Sequence, residues 1–158
     1  FFFFLMITRT TRIKTGGSAA ASDGDKRQTL KTEPDSTAPL IYNLAVKAKD
    51  ARNSELAGKL YTQLLEVVPN HTNATINLAV LEREAKRYDQ AIELLDKALK
   101  REPENTAAII NRVQVLEEKG DINAARQALE EAHKLNPEDE EIQHSLNELQ
   151  KKKAMLNK

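Results

Sequence analysis

From Ala38 onward, apolar residues recur at the spacing of one face of an α-helix. Ile41, Leu44, Ala45 and Ala48 make one such stripe, and Leu56, Leu60, Leu64 and Val67 make a second. Arg52-Asn53-Ser54 interrupts the pattern, and Asn53 or Ser54 is suited to cap the second helix. Pro69 then closes it. The two-stripe unit returns twice. Leu78 and Leu81 precede Ala91, Leu94, Leu95 and Ala98; Ile109, Val113 and Leu116 precede Ile122, Ala125, Leu129 and Ala132. Gly120-Asp121 marks the turn inside the third unit, because glycine tolerates the positive φ that follows a helix end. A last stripe, Ile142, Leu146 and Leu149, predicts one more helix. Its acidic start (Glu138 to Glu141) and basic end (Lys151 to Lys153) both suit the helix dipole. The pattern predicts an all-α chain of three helix pairs and a capping helix.

The period of this pattern is fixed. Pro69, Pro103 and Pro137 recur every 34 residues, each closing an apolar segment. A constant period of that length signals stacked supersecondary units, none of which buries its apolar face alone. The predicted units are 38–71, 72–105 and 106–139, with a capping helix and basic tail over 140–158. Small residues recur in phase, as Ala45, Ala79 and Val113 and again as Ala57, Ala91 and Ala125. Tyr61, Leu95 and Leu129 form a bulky set in the same phase, while Leu64, Ala98 and Ala132 share another register position. These residues resemble the tetratricopeptide repeat, a 34-residue helix–turn–helix. The resemblance implies a right-handed superhelical stack, in which small residues let neighbouring helices approach and bulky ones fill the space between. The chain departs from the family pattern where a tryptophan is usual, with Ile41, Thr75 and Ile109 instead, and at Glu82.

Composition narrows the chemistry. Lys plus Arg equals Asp plus Glu at 24 each, a balance unlike that of a nucleic-acid binder. The absence of cysteine excludes disulfides, thiolate metal sites and cysteine nucleophiles. Five glycines and no phosphate-loop motif point away from nucleotide chemistry. His71, His133 and His144 lack the partners a metal site needs and read as surface histidines. Paired carboxylates such as Glu117-Glu118 and Glu130-Glu131 read as solvated helix faces. The chain is expected to be no enzyme and to use no cofactor.

Before the repeats, residues 1–14 open on Phe-Phe-Phe-Phe-Leu-Met-Ile followed by Arg9, Arg12 and Lys14. Three readings compete: the end of a truncated membrane anchor with its basic cytoplasmic flank, a mitochondrial transit peptide, and a secretory signal. Seven apolar residues fall short of the roughly 20 that span a bilayer. Residues 15–37 are rich in small and polar residues and read as a flexible linker. The expected location is the cytoplasm, membrane-anchored through the N-terminus, with the mitochondrion as alternative.

The resemblance also implies where function resides. The first helices of such repeats line a concave groove, and the register positions facing it hold Asn43, Asn77 and Asn111 in phase. An amide offers an acceptor and two donors, enough to hold an extended peptide by its backbone. Tyr42, Val46, Ile76, Val80 and Ile110 would form an apolar stripe beside that ladder. The expected function is an adaptor or scaffold that binds a peptide or amphipathic helix of another protein. The alternatives are the recognition arm of a larger enzyme and a self-associating assembly subunit. Family members that grip acidic C-terminal peptides do so with a clamp of cations and asparagines. The matching positions here hold Tyr42, Val46, Asn77, Ala107 and Asn111, and only Asn77 fits. Without the cations, no charge-assisted grip of that design is expected.

Overall fold

The computed structural model describes residues 37–156. The expectations for residues 1–14 and for most of the linker lie outside the described residues. Seven helices follow one another: α1 (Ala38–Asp50), α2 (Ser54–Val67), α3 (Thr72–Glu84), α4 (Tyr88–Arg101), α5 (Thr106–Lys119), α6 (Ile122–Leu135) and α7 (Glu140–Leu156). Each packs on the next along the chain, and α5 also touches α3 and α7. No strand occurs among the described residues.

The 34-residue period holds to the residue. Helices α1, α3, α5 and α7 begin at Ala38, Thr72, Thr106 and Glu140; α2, α4 and α6 begin at Ser54, Tyr88 and Ile122. The punctuation has the same phase. Arg52, Lys86 and Gly120, which follow the first helix of each pair, all have positive φ. Asn53 and Asp121 then cap α2 and α6, their side chains accepting from Leu56 N at 3.1 Å and Ala124 N at 3.1 Å. Arg87 occupies the equivalent place before α4 and makes no side-chain cap. The second helices end two residues before the prolines, because the residue preceding proline is pushed out of the helical region. Val68, Glu102 and Asn136 accordingly have ψ of 78°, 80° and 84°. At the first helices, His71, Asn105 and Asp139 accept from Ala74 N, Ala108 N and Ile142 N at 3.1, 3.0 and 3.0 Å.

Packing follows the phased side chains. Ala45, Ala57, Tyr61, Ala79, Ala91, Leu95, Ala125 and Leu129 are all fully buried. Three apolar clusters run along the stack: one around Tyr61 and Leu64, one around Ile76 and Leu95, and one around Leu129 and Ile142. In the last, Ile142 and Leu149 of α7 seal the third pair. Leu44, Leu56 and Val67 share the apolar periodicity but are exposed, as is Leu40. For Leu40 the reason is position in the stack. In the next two units the equivalent residues, Ala74 and Ala108, are fully buried on the side where α2 and α4 pack. No helix precedes α1 among the described residues.

Candidate functional site

The candidate residues lie on the first helices of the pairs. On α1, Tyr42, Val46 and Lys49 fall at i, i+4 and i+7, along one face. Asn77 on α3 joins the ends of that row. Its Oδ1 accepts from Lys49 Nζ at 2.8 Å, and its Nδ2 donates to the Tyr42 hydroxyl at 3.2 Å. Lysine can only donate, so the amide oxygen must face Lys49 and the amide nitrogen must face Tyr42. The Tyr42 ring stacks on His71 with centroids 4.9 Å apart and planes at 26°. His71 is itself fixed, because its Nδ1 caps α3. His71 is therefore half-buried and structural, rather than the solvated surface histidine expected from sequence.

The three asparagines are not equivalent. Asn43 is exposed and Asn77 is committed to Tyr42 and Lys49. Asn111 donates to the Ala107 carbonyl of its own helix at 2.7 Å, which leaves its amide oxygen and one N–H. The stripe is uneven as well. Tyr42, Val46, Val80 and Ile110 are half-buried and present part of their surface. Ile76 corrects the expectation of an accessible anchor: it is 7% exposed and belongs to the middle cluster with Ala79 and Leu95. It forms floor rather than contact surface.

Two recesses open beside the first helices, one at the row and one further along the stack. One of about 270 Å³ is lined by Pro39, Tyr42, Asn43, His71 and Asn73. The other, about 120 Å³, lies between α5 and α7 beside Ile110, Gln114, His144 and Glu148.

Charged residues on these helices were missed by the sequence reading. Lys49 and Arg83 are 34 residues apart, and both reach into the following repeat. Lys49 meets Asn77, whereas Arg83 meets Gln114 and lies 3.7 Å from Glu118. Glu117, next in phase, pairs with Lys152 of α7 at 2.9 Å. The phase of Lys49 and Arg83 was the available signal. Among the described residues no cluster of three metal-ligating side chains occurs, and no helix is long and apolar enough to cross a membrane.

Two tetratricopeptide repeat family models match this chain, over residues 42–106 and 82–149. Solved structures share the fold at low identity. The Sgt2 TPR domain from Aspergillus fumigatus superposes with a TM-score of 0.68 at 18% identity, covering 78% of this chain and 83% of that one. The first TPR of Spaghetti (RPAP3), bound to the HSP90 peptide SRMEEVD, gives a TM-score of 0.65 at 18% identity, covering 75% and 96%. The Yersinia enterocolitica type III secretion chaperone SycD, in complex with a peptide of the translocator YopD, gives 0.66 at 19%, covering 74% and 95%. No curated protein sequence gives a significant match.

Proposed function

Since this chain belongs to the tetratricopeptide repeat family, we propose that its first helices form a concave groove holding an extended segment of another protein. The role is that of a non-catalytic adaptor. The observation that carries this reading is the row Tyr42–Asn77–Lys49 with half-buried Val46 beside it. Hydrogen-bonding groups held in place next to partly covered apolar surface suit a peptide better than a small metabolite, which needs an enclosed pocket. Asn43 and Asn111 retain amide groups for the backbone of the segment. Val80 and Ile110 continue the apolar contact along α3 and α5. Two proteins of the same fold, RPAP3 and SycD, are seen with bound peptides, which supports the class of ligand and not its identity.

The test is capture of partners from native lysate by the full chain and by its N43A/N77A/N111A variant, both shown to melt at similar temperatures. Proteins retained by the wild type and lost by the variant support the groove. Equal retention by both sinks it.

A further inference from the structure

The last seam of the stack differs in chemistry from the two before it. At matched positions of the repeat, α2 places Gly58 and Leu65 toward α3, and α4 places Ile92 and Leu99 toward α5. Leu81 of α3 stands 3.9 Å from where a Gly58 Cβ would sit. Ile92 and Leu99 pack into the clusters that hold Val113 and Val115 of α5. In α6, which packs on α7, the same two positions hold Arg126 and His133. Arg126 Nε and His133 Nδ1 are buried and have no hydrogen-bond partner among the described residues. The Tyr61 hydroxyl is the one other side-chain atom of that kind described. A guanidinium Nε always carries its proton, so Arg126 keeps an unspent donor away from water, at a desolvation cost. Counter-charge is not what it lacks, because Glu130, one turn on, lies 3.4 Å from its guanidinium. The resident helix answers this seam with apolar groups: Ile142 and Leu149 are buried and Leu146 is half-buried. Its own amides, Gln143, Asn147 and Gln150, are exposed. α7 thus satisfies the apolar part of its seat and leaves the polar part unmet.

We infer that the seat of α7 is a docking surface for an amphipathic helix of a partner protein, with α7 as its displaceable resident. The partner helix repeats the apolar row of α7 and adds a Gln or Asn whose carboxamide oxygen accepts from Arg126 Nε. An amide has donors as well, so a second one two turns away serves His133 Nδ1 in either tautomer. A neutral amide suits the place better than a carboxylate, since Glu130 already supplies the negative charge. Such a helix gains the burial that α7 gains and removes the desolvation cost that α7 leaves in place. In favour of α7 stands its attachment: joined to α6 through residues 136–139, it competes at a high effective concentration. The seat lies on α5 and α6 around Val113, Leu116 and Leu129, and shares no residue with the concave groove proposed above.

The experiment is selection on the full chain from a display library of 17-residue helices, the length of α7. The library fixes Ile, Leu and Leu at the spacing of Ile142, Leu146 and Leu149 and randomises the other positions. Winners are titrated as labelled synthetic peptides by anisotropy and followed by hydrogen exchange. They should carry Gln or Asn beside the apolar row. On binding, α7 should lose amide protection while α5 and α6 keep theirs, because the seat is never empty. Arg126→Ile with His133→Leu installs the residues of the preceding repeat; it should weaken the winners about tenfold, the scale of one lost buried hydrogen bond, and slow exchange in α7. Leu149→Ala loosens the resident helix and should strengthen the winners severalfold, so the outcome does not rest on one variant folding well. Replacing the peptide's Gln or Asn by Leu should abolish its preference for wild type over R126I/H133L. Winners that bind R126I/H133L as well as wild type would overturn the assignment, as would binding that leaves α7 protected. Peptides lost on N43A/N77A/N111A with exchange of α7 unchanged would belong to the concave groove, and the seat would fall while the groove stood. A selection that yields no helix able to displace α7, from wild type or from Leu149→Ala, would also sink it.

Discussion

Tyr61 shows a single side chain working against itself. It is fully buried and takes the place that Leu95 and Leu129 hold in the other repeats, yet its hydroxyl has no hydrogen-bond partner. The ring fills the layer between helices, lying 6.2 Å from the Tyr42 ring, while the buried O–H carries a desolvation cost. Burial pushes its phenol up to about 12, with smaller contributions from Tyr42 and Asp50. The neutral form is favoured in the folded protein, so this contribution is complete below the ordinary phenol pKa of about 10 and is lost as the pH rises toward 12. Tyr61→Phe should therefore leave stability equal or raise it by up to about 1 kcal/mol at neutral pH. It should also flatten the alkaline loss. Urea unfolding at neutral and alkaline pH measures both, and a clear destabilisation at neutral pH would mean that the hydroxyl has a partner.

At the scale of the element, the turns repeat in geometry but not in chemistry. Gly120 meets its positive φ of 92° without strain, whereas Arg52 at 58° and Lys86 at 60° carry side chains in the left-handed region. The turn before α4 lacks a side-chain cap as well. Installing the third repeat's Gly-Asp pair, as Lys86→Gly with Arg87→Asp, should stabilise the fold by roughly 1–2 kcal/mol. That exceeds the worth of the exposed Arg87–Glu82 ion pair it removes, and a lowered thermal midpoint would contradict it. Within each of the last two repeats a threonine at the start holds a carboxylate near the end: the carboxyl of Glu102 is held below its usual range by the Thr72 hydroxyl and then the Asn105 amide. Asp139 is lowered first by the Thr106 hydroxyl and then by the Ile142 N–H. Carboxyls depressed in the folded state stabilise it above their unfolded pKa and lose that effect as the pH falls through the folded value. The variant T72V/T106V should accordingly lose less stability than wild type on acidification from about pH 5 to pH 3, as followed by urea midpoints. Sequence pattern made the helices legible because Ala, Leu and Pro recur in phase. It revealed the left-handed turn at Gly120 but not at Arg52 or Lys86, since those two residues adopt it against their preference. The candidate surface was half legible. Phase alone located the asparagines, but the commitment of Asn77 to Tyr42 and Lys49 is a contact between repeats that no single-helix periodicity contains.

Across the whole molecule, the two ends of the stack differ. A repeat array is stabilised by nearest-neighbour interfaces, so an end is strong only if something seals it. At the C-terminal end α7 does so: Ile142 and Leu149 are 1% and 2% exposed against the Leu129 cluster. At the other end of the described residues, Leu40 and Leu44 are 69% and 50% exposed on α1. Removing α7, in a chain ending at Asn136, forfeits the burial of those two side chains, roughly 3–6 kcal/mol at the usual 1.5–3 for each. It also uncovers Val113, Leu116 and Leu129. That is comparable with the whole stability of a small domain, about 5–15 kcal/mol, so α5 and α6 should lose amide protection from hydrogen exchange first. Leu40→Gln and Leu44→Gln, which delete as much apolar surface by sequence, should shift stability by no more than about 0.5 kcal/mol each. A large loss from either leucine substitution would show that α1 is covered in the intact protein.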